Sequence, residues 1–283
     1  MSECRFLAID LAKNVFQLHG AASDGALVFK RRLMRDQLSA FVANLTPCQI
    51  AMEACASAHH WARVFRRFGH EVKLISPQFV RPFVKGSKND GNDAEAICDA
   101  MQRPNMRFVP IKTVEQQDIQ SLHRVRTRLV NERTGLVCQI RGILAERGIV
   151  FAKAVSRVRR EVPVIAQDLD NALTPILRTM LTELMDELRD LDERIKAFDR
   201  HIDAIFQNSE ACQRIARIEG VGPKTATAFV AAVGDPLEFK NGRHFAAWLG
   251  LVPRQHSSGD RRQLFESPRL PRRLVGLSQT FAA

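Results

Sequence analysis

The sequence predicts an α/β domain built on a mixed sheet with helices packed on it, then a long helical region and a small, mostly α C-terminal domain. Three successive short apolar strands at the N-terminus, followed by alternating helices and strands, indicate the sheet. A sustained heptad repeat further along indicates the long helices. We place the three domains at residues 1–108, 109–210 and 211–259, with an atypical basic tail at 260–283.

The composition favours a globular protein with a polyanionic partner. The 283 residues are 45% hydrophobic and 26% charged, with a net charge of +11. Such a surplus favours nucleic acid, because each neutralised phosphate releases counterions. No apolar run is long enough to span a membrane, and the six cysteines lie singly without a C-x-x-C pair. We therefore expect a cytoplasmic protein with reduced thiols and no zinc site.

The N-terminal elements follow from alternating apolar residues and turn signals. The turn at residues 23–25 separates two strands, and Gly69 ends a helix. The predicted strands are 5–12, 15–21, 26–33, 49–54 and 71–76, and the predicted helices are 36–44, 57–69 and 90–103.

Two long helices are predicted in the central region. Residues 114–147 form the first. The second carries a coiled-coil seam in steps of three and four, made of Leu181, Leu184, Leu188, Leu191, Ile195, Phe198, Ile202 and Ile205. Pro163 and Pro175 are expected to supply the reversal between the helices. The seam fits an intramolecular antiparallel hairpin and a dimer-forming stalk equally well.

The C-terminal domain is predicted to contain two helices joined by a tight turn. Residues 212–233 have a Gly-Val-Gly turn before a proline suited to an early helical position. The turn resembles a helix-hairpin-helix, whose backbone N–H groups hold a DNA phosphate without reading sequence, and a plain tight turn is the alternative. Gly220, Gly222 and Lys224 are the candidate contacts. The tail after Gly259 has prolines, arginines and no period, which predicts poor order.

Four acids form the candidate chemical site. Asp10 interrupts an apolar strand, Glu53 ends another, and Asp90 and Asp93 lie one turn apart at a helix start. Two carboxylates about 4 Å apart repel by roughly 4 kcal/mol at an effective dielectric of about 20. Four acids brought together therefore require hard cations, and oxygen ligands favour Mg²⁺ or Mn²⁺.

Each acid also has an ordinary structural interpretation. Asp10 fits a residue beside a turn, Glu53 a partner for an arginine, and Asp90 and Asp93 helix caps. Their joint arrangement is more specific. Acids on the first strand, on a later strand and as D-x-x-D on a helix have the topology of a ribonuclease H-like nuclease.

Three groups of segments carry a resemblance to a known family. AIDLAKNVFQLHG, AMEACASAHHWA and KNDGNDAEAIC resemble the N-terminal RuvC-like domain of the DEDD-type insertion-sequence transposases, a family that includes the pilin-gene invertases. HRVRTRLVNERTGLVCQIRGILAERGI resembles their central helix, and IARIEGVGPKTATAFVAAVGD with FAAWLGLVPRQHSSG is similar to their C-terminal domain. The likeness runs from about residue 5 to Gly259.

The resemblance implies roles for particular residues and partners. It makes Asp10, Glu53, Asp90 and Asp93 the metal ligands, and Ser258, with Ser257 as the less favoured neighbour, the nucleophile. The chain has no tyrosine, which excludes a phosphotyrosine link. The resemblance also implies DNA as substrate, homo-oligomers and an element-encoded guide RNA. The central helix offers basic candidates for nucleic-acid contact, namely Arg124, Arg126, Arg128, Arg133 and Arg141.

The tail departs from the family pattern. The expected K-x-G turn and leucine-rich helix after the Ser-Gly pair are replaced by a stretch rich in proline and arginine. We interpret the tail as a shifted reading frame or a truncated end. A metal-dependent transposase with a serine nucleophile is the favoured function. The alternatives are a junction endonuclease that uses water and two metals, and an inactive nucleic-acid-binding remnant.

Overall fold

The computed structural model describes residues 3–84, 90–233, 239–248, 254–258 and 261–265. The chain divides into two compact units, with the boundary between Thr113 and Val114. Within the described residues, no helix is long and apolar enough to cross a membrane.

The N-terminal unit is built on a six-stranded mixed sheet, in the order β3-β2-β1-β4-β5-β6. Its strands are β1 (Phe6–Leu11), β2 (Val15–Ala21), β3 (Leu27–Met34), β4 (Gln49–Glu53), β5 (Glu71–Ile75) and β6 (Phe108–Val109). The first three pair antiparallel, β1, β4 and β5 pair parallel, and β6 is antiparallel to β5. The predicted mixed sheet is confirmed, and its order with the following helices fits a ribonuclease H-like fold.

Helices cover both faces of this sheet. On one face α1 (Arg35–Ala43) and α2 (Ala58–Arg67) bury a core that contains Phe16, Trp61 and Phe65. On the other face α4 (Asp90–Met101) packs against small residues of the strands. A short helix α3 (Pro77–Val80) and a 3-10 turn (Arg81–Phe83) follow β5. The edge strand β3 carries the charged segment Lys30-Arg31-Arg32, which discourages pairing with another sheet.

The C-terminal unit begins with an antiparallel helical hairpin. Its helices are α5 (Val114–Ala145), α6 (Val155–Gln167) and α7 (Pro175–Gln207). Arg126 pairs with Asp199 and Arg133 with Asp192, so that α5 and α7 run in opposite directions. Buried residues of α5 and the predicted α7 seam form one core, which includes Leu129, Leu136, Ile140, Leu144, Leu181, Leu188, Leu191 and Ile195. Within the chain, the seam is therefore used intramolecularly.

The expectation that Pro163 would help to reverse the chain was wrong. Pro163 lies inside α6, and its helix buries Val158 and Val162 completely. A proline inside a helix costs about 3 kcal/mol, and burying two valines recovers a similar amount at about 1.5–3 kcal/mol each. Pro175 occupies the first turn of α7, where its missing N–H costs nothing, and Thr174 caps that helix through a bond from Leu177 N.

The end of the chain contains short elements. These are α8 (Glu210–Ile215), α9 (Pro223–Val233), α10 (Gly242–Trp248), β7 (Arg254–Ser258) and β8 (Arg261–Phe265). β7 and β8 pair antiparallel, so the expected poor order of the tail was wrong for residues 261–265. The overlooked signal is Gly259-Asp260, a dipeptide typical of two-residue hairpin connections. Residues 266–283 lie outside the described residues.

Candidate active site

Asp10 and Glu53 are neighbours on adjacent parallel strands. β1 and β4 pair in the register Leu7 with Ile50, Ala8 with Ala51 and Ile9 with Met52. Asp10 and Glu53 are the next residue on each strand. Adjacent strands lie about 4.8 Å apart, which brings the two acids to the same end of the sheet.

Alternation along the strands places both acids on the face that α4 covers. Ile9 and Met52 belong to the core under α1 and α2, whereas Ala8 and Ala51 belong to the core under α4. Successive side chains point to opposite faces, so Asp10 and Glu53 share the face of the alanines. Both acids are half-buried.

The direction of α4 brings its N-terminal turn to this end of the sheet. Its C-terminal side lies near the β2–β3 turn, because a Cβ added to Gly25 would stand 3.7 Å from Gln102 Oε1. That turn is at the end where β1 begins, so α4 runs back toward the end where β1 finishes. Asp93 lies one turn before the sheet-packing residues Ala96 and Ile97, and it is half-buried.

Asp90 begins α4, one turn before Asp93, and its side chain lies outside the described residues. Among the side chains that the structure describes, no three His, Cys, Asp or Glu form a group that could hold a metal ion. The four-carboxylate ligand set is thus placed by its backbone positions and stays a prediction.

Sequence reasoning missed Cys55, which lies beside the acids. Burial of the sulfur, followed by the negative charges of Glu53 and Asp10, raises the pKa of the Cys55 thiol. Its Sγ lies 3.9 Å from the carbonyl oxygen of Leu11. Both carboxylates therefore act on one thiol, which supports their common location. Its position two residues after Glu53, at a strand end, was the available signal.

The arginines of α5 divide into two groups. Arg124 and Arg128 are exposed, and Arg128 forms an ion pair with Glu132 on its own helix. Arg126 and Arg133 instead face α7, with side chains only 13% and 22% exposed. Arg141 is half-buried. Of these five arginines, Arg124 and Arg128 are therefore the most accessible to a nucleic acid.

Lys224 belongs to an ion cluster with α5 and α7. Its Nζ donates to Asp199 Oδ2 at 3.0 Å, and Arg126 Nε donates to Asp199 Oδ1. Burial acts to raise the pKa of Asp199, but the hydrogen bonds from Arg126 and Lys224 outweigh it and lower that pKa. The cluster fixes the first turn of α9 against the long helices. The Lys224 side chain is still 35% exposed.

The turn between α8 and α9 is open to solvent. Gly220 has φ +83°, a left-handed conformation that favours glycine. Gly220 and Gly222 are both exposed, and no heavy atom lies within 4 Å of a Cβ built on either. Their backbone is therefore accessible to a ligand.

Ser258 is the last residue of β7, opposite Arg261 in the β7–β8 register. Ser257 precedes it and pairs with Arg262. The side chains of both serines lie outside the described residues.

Two family descriptions match the chain. Residues 7–148 match a DEDD-type description, "Transposase", for IS110 elements, and residues 212–273 match "Transposase IS116/IS110/IS902 family". The chain belongs to this transposase family. The resemblance deduced from the sequence motifs is confirmed, and the second match continues past Gly259 into the tail.

Individual relatives of the transposase agree with this assignment. It is 47% identical over 259 residues to "Probable family 20 transposase" of Pseudomonas aeruginosa, covering 91% of this chain and 77% of the relative. It is 44% identical to "Transposase for insertion sequence element IS1111A" of Coxiella burnetii, with 93% and 72% covered. It is 31% identical to "Pilin gene-inverting protein" of Moraxella bovis, with 90% and 74% covered. The DEDD type of its N-terminal domain suggests dependence on a divalent metal.

A buried histidine joins α9 of the transposase to α5. His123 is 4% exposed, and its Nε2 lies 3.0 Å from Thr227 Oγ1. The Thr227 hydroxyl donates to Pro223 O, so it accepts from the imidazole N–H. Burial, and then the charge of Arg126, lowers the pKa of His123 to about 4.

We expect His123 to make stability depend on pH. Its pKa is about 4 in the fold and about 6.5 unfolded, so the unfolded chain binds more protons between these values. The free energy of unfolding therefore has its full value above pH ~6.5 and falls by up to about 3 kcal/mol as the pH drops to ~4. Urea unfolding followed by helical circular dichroism at several pH values measures this slope.

His123→Gln keeps an N–H donor but does not titrate, so it should lose this part of the pH dependence. His201→Gln, at an exposed site on α7, is the matched control and should keep it. Identical slopes for the unaltered chain and His123→Gln would contradict the prediction.

Proposed function

We propose that this chain is a transposase or site-specific recombinase that cuts and rejoins the DNA of a mobile element with a divalent metal and a serine nucleophile. One observation supports it most. Asp10 and Glu53 sit side by side at the ends of β1 and β4, on the face toward which α4 presents its N-terminal turn. Neighbouring carboxylates at one end of a sheet offer the oxygen ligands that a divalent metal uses in phosphodiester cleavage.

The donor set fits a hard cation. Asp10, Glu53, Asp90 and Asp93 offer only carboxylate oxygens, which Mg²⁺ and Mn²⁺ prefer over softer metals. These four residues would hold the metal. When bound, it would stabilise the negative charge that develops on the phosphate and its leaving oxygen.

The serine supplies the covalent step. Ser258 Oγ attacks the phosphorus, and an Oγ–P bond forms as the bond from phosphorus to one sugar oxygen breaks. The serine proton passes to the leaving sugar oxygen, which is released as a hydroxyl. Rejoining is the reverse attack by a sugar hydroxyl, which returns the proton to Ser258.

We expect Ser258→Ala to abolish the covalent protein–DNA adduct and to lower strand cleavage by at least about 10³-fold, because no nucleophile remains. The measurement uses plasmid DNA that carries the element ends, with Mg²⁺ or EDTA, and resolves the adduct by denaturing electrophoresis. Ser257→Ala is the matched control and should retain both products.

Other outcomes identify the alternatives. Cleavage that survives Ser258→Ala without any adduct would favour a junction endonuclease that uses water. Salt-dependent DNA binding with no cleavage under Mg²⁺ or Mn²⁺ would favour an inactive remnant.

We also propose where DNA contacts the C-terminal unit. The exposed turn at Gly220 and Gly222, followed by α9, would hold a backbone phosphate as a helix-hairpin-helix does. Arg124 and Arg128 would add phosphate contacts along α5. Homo-oligomers and a guide RNA, which the family resemblance implies, stay predictions.

A further inference from the structure

A second cationic surface lies on the N-terminal unit, where α2 meets the start of α1. We call it the α2 surface and define it by Arg35, His60, Arg63 and Arg67. A shallow cleft of about 520 Å³ opens within it. The residues that line the cleft are Asn14, Met34, Arg35, Asp36, His60 and Trp61.

Positive charge dominates this surface. Burial, and then the charges of Arg63, Arg35 and Arg67, lowers the pKa of His60, and Arg63 Nη1 also donates to Lys112 O at 2.6 Å. Arg35 and Arg67 are exposed. Asp36 is the acid that lines the cleft, and it too is exposed. The balance favours an anionic ligand.

Arg35 is held in position from several sides. Its Nη1 donates to Lys13 O at 3.2 Å, and its backbone N donates to Asn14 O at 2.9 Å. Its guanidinium lies 5.4 Å from the centre of the Trp61 ring. An arginine that is already ordered loses less freedom when it binds a phosphate.

Trp61 adds an unsatisfied donor beneath this arginine. The residue is 5% exposed, and its Nε1 is buried with no hydrogen-bond partner among the described residues. A buried donor without a partner costs about 1–3 kcal/mol. Trp61 lines the cleft, so a ligand that enters there comes next to the indole.

Arg35 and His60 of the α2 surface lie near the end of the sheet that bears the carboxylates, on helices that cover the opposite face. The Lys13-Asn14 turn comes directly after β1, which carries Asp10. α2 begins shortly after Glu53, the last residue of β4. A strand that passes over this end of the sheet to the carboxylates therefore meets Arg35 first, and Arg67 lies about 10 Å further along α2.

We propose that the α2 surface binds the sugar–phosphate backbone of the nucleic-acid strand that enters the carboxylate site. Separate cationic groups on two packed helices suit the phosphates of a backbone, and because phosphate contacts carry no base information, binding would not depend on sequence. This inference rests on the proposed function, because it takes nucleic acid as the ligand.

The test measures binding by the full chain, without cleavage, through fluorescence anisotropy in EDTA. The probes are a labelled duplex, the single DNA strand and RNA of the same sequence. For Arg35→Gln/Arg67→Gln we expect roughly 10- to 30-fold weaker binding near 0.1 M salt. The slope of log K against log salt should fall by about 1.4 for single strands and 1.8 for duplex. The probe that shows the loss identifies DNA or RNA as the source of the backbone.

Two variants keep the test decisive. Arg5→Gln removes one positive charge at the exposed residue before β1, outside the α2 surface, and should bind as the unaltered chain does. Arg35→Lys/Arg67→Lys restores the charges and should recover most of the salt slope. Equal affinity of the Gln double variant and the unaltered chain for all three probes would overturn the proposal. Cleavage is scored separately. If the unaltered chain binds as expected but does not cleave DNA with any divalent metal, the proposed function is refuted and the binding proposal is not.

Discussion

Replacing Asp10 with Asn is expected to abolish metal-dependent DNA cleavage, with a loss on the order of 10³-fold or more. The amide has the same size as the carboxylate, so β1 and its pairing with β4 should persist. What disappears is one negative charge at the point where Glu53 and the N-terminal turn of α4 converge. Isothermal titration with Mn²⁺ should show weakened metal binding, and plasmid cleavage should show the loss of rate.

Asp24→Asn is the matched control for this experiment. Asp24 is exposed in the turn between β2 and β3, at the opposite end of the strands, where it accepts a bond from Ala26 N. The same substitution there should leave metal binding and cleavage unchanged. If Asp10→Asn cleaved at the rate of the unaltered chain, the carboxylates could not be the metal ligands.

The sequence was sufficient for the elements that surround this site. Asp10 and Glu53 stand at the ends of apolar strands, and the strand period assigns each acid to a face once the register is known. The register itself pairs residues about 43 positions apart, such as Ile9 with Met52, and no local pattern contains it. The sequence therefore indicated which acids matter, and tertiary structure showed which of them are neighbours.

Long-range contacts also explain what the sequence did not predict. Arg126 and Arg133 look equivalent to Arg124 and Arg128 along one basic helix, yet acids on α7 pair with the first two. Lys224 looks like a free cation but meets Asp199. Such pairings depend on how helices pack, which propensity and composition do not encode.

Leu181→Ala is expected to lower the free energy of unfolding of the C-terminal unit by about 2–5 kcal/mol. Leu181 is fully buried in the α7 seam. The antiparallel register set by the Arg126–Asp199 and Arg133–Asp192 pairs places Leu144 of α5 opposite it, also fully buried. Removing three carbons from this layer leaves a cavity, and the two long helices cannot shift far enough to fill it. Chemical denaturation followed by helical circular dichroism measures the loss.

Ile176→Ala on the same helix is the control, because Ile176 is 75% exposed and the substitution should cost less than about 0.5 kcal/mol.

The same denaturation curves distinguish a hairpin within one chain from a stalk between chains. If α7 pairs with α5 of its own chain, the midpoint for both variants is independent of protein concentration. A seam shared between chains would make the midpoint rise with concentration, and Leu181→Ala would then weaken association together with folding. A concentration-independent midpoint combined with a large Leu181→Ala effect would assign the heptad seam to the internal core, so that any oligomer must form through another surface.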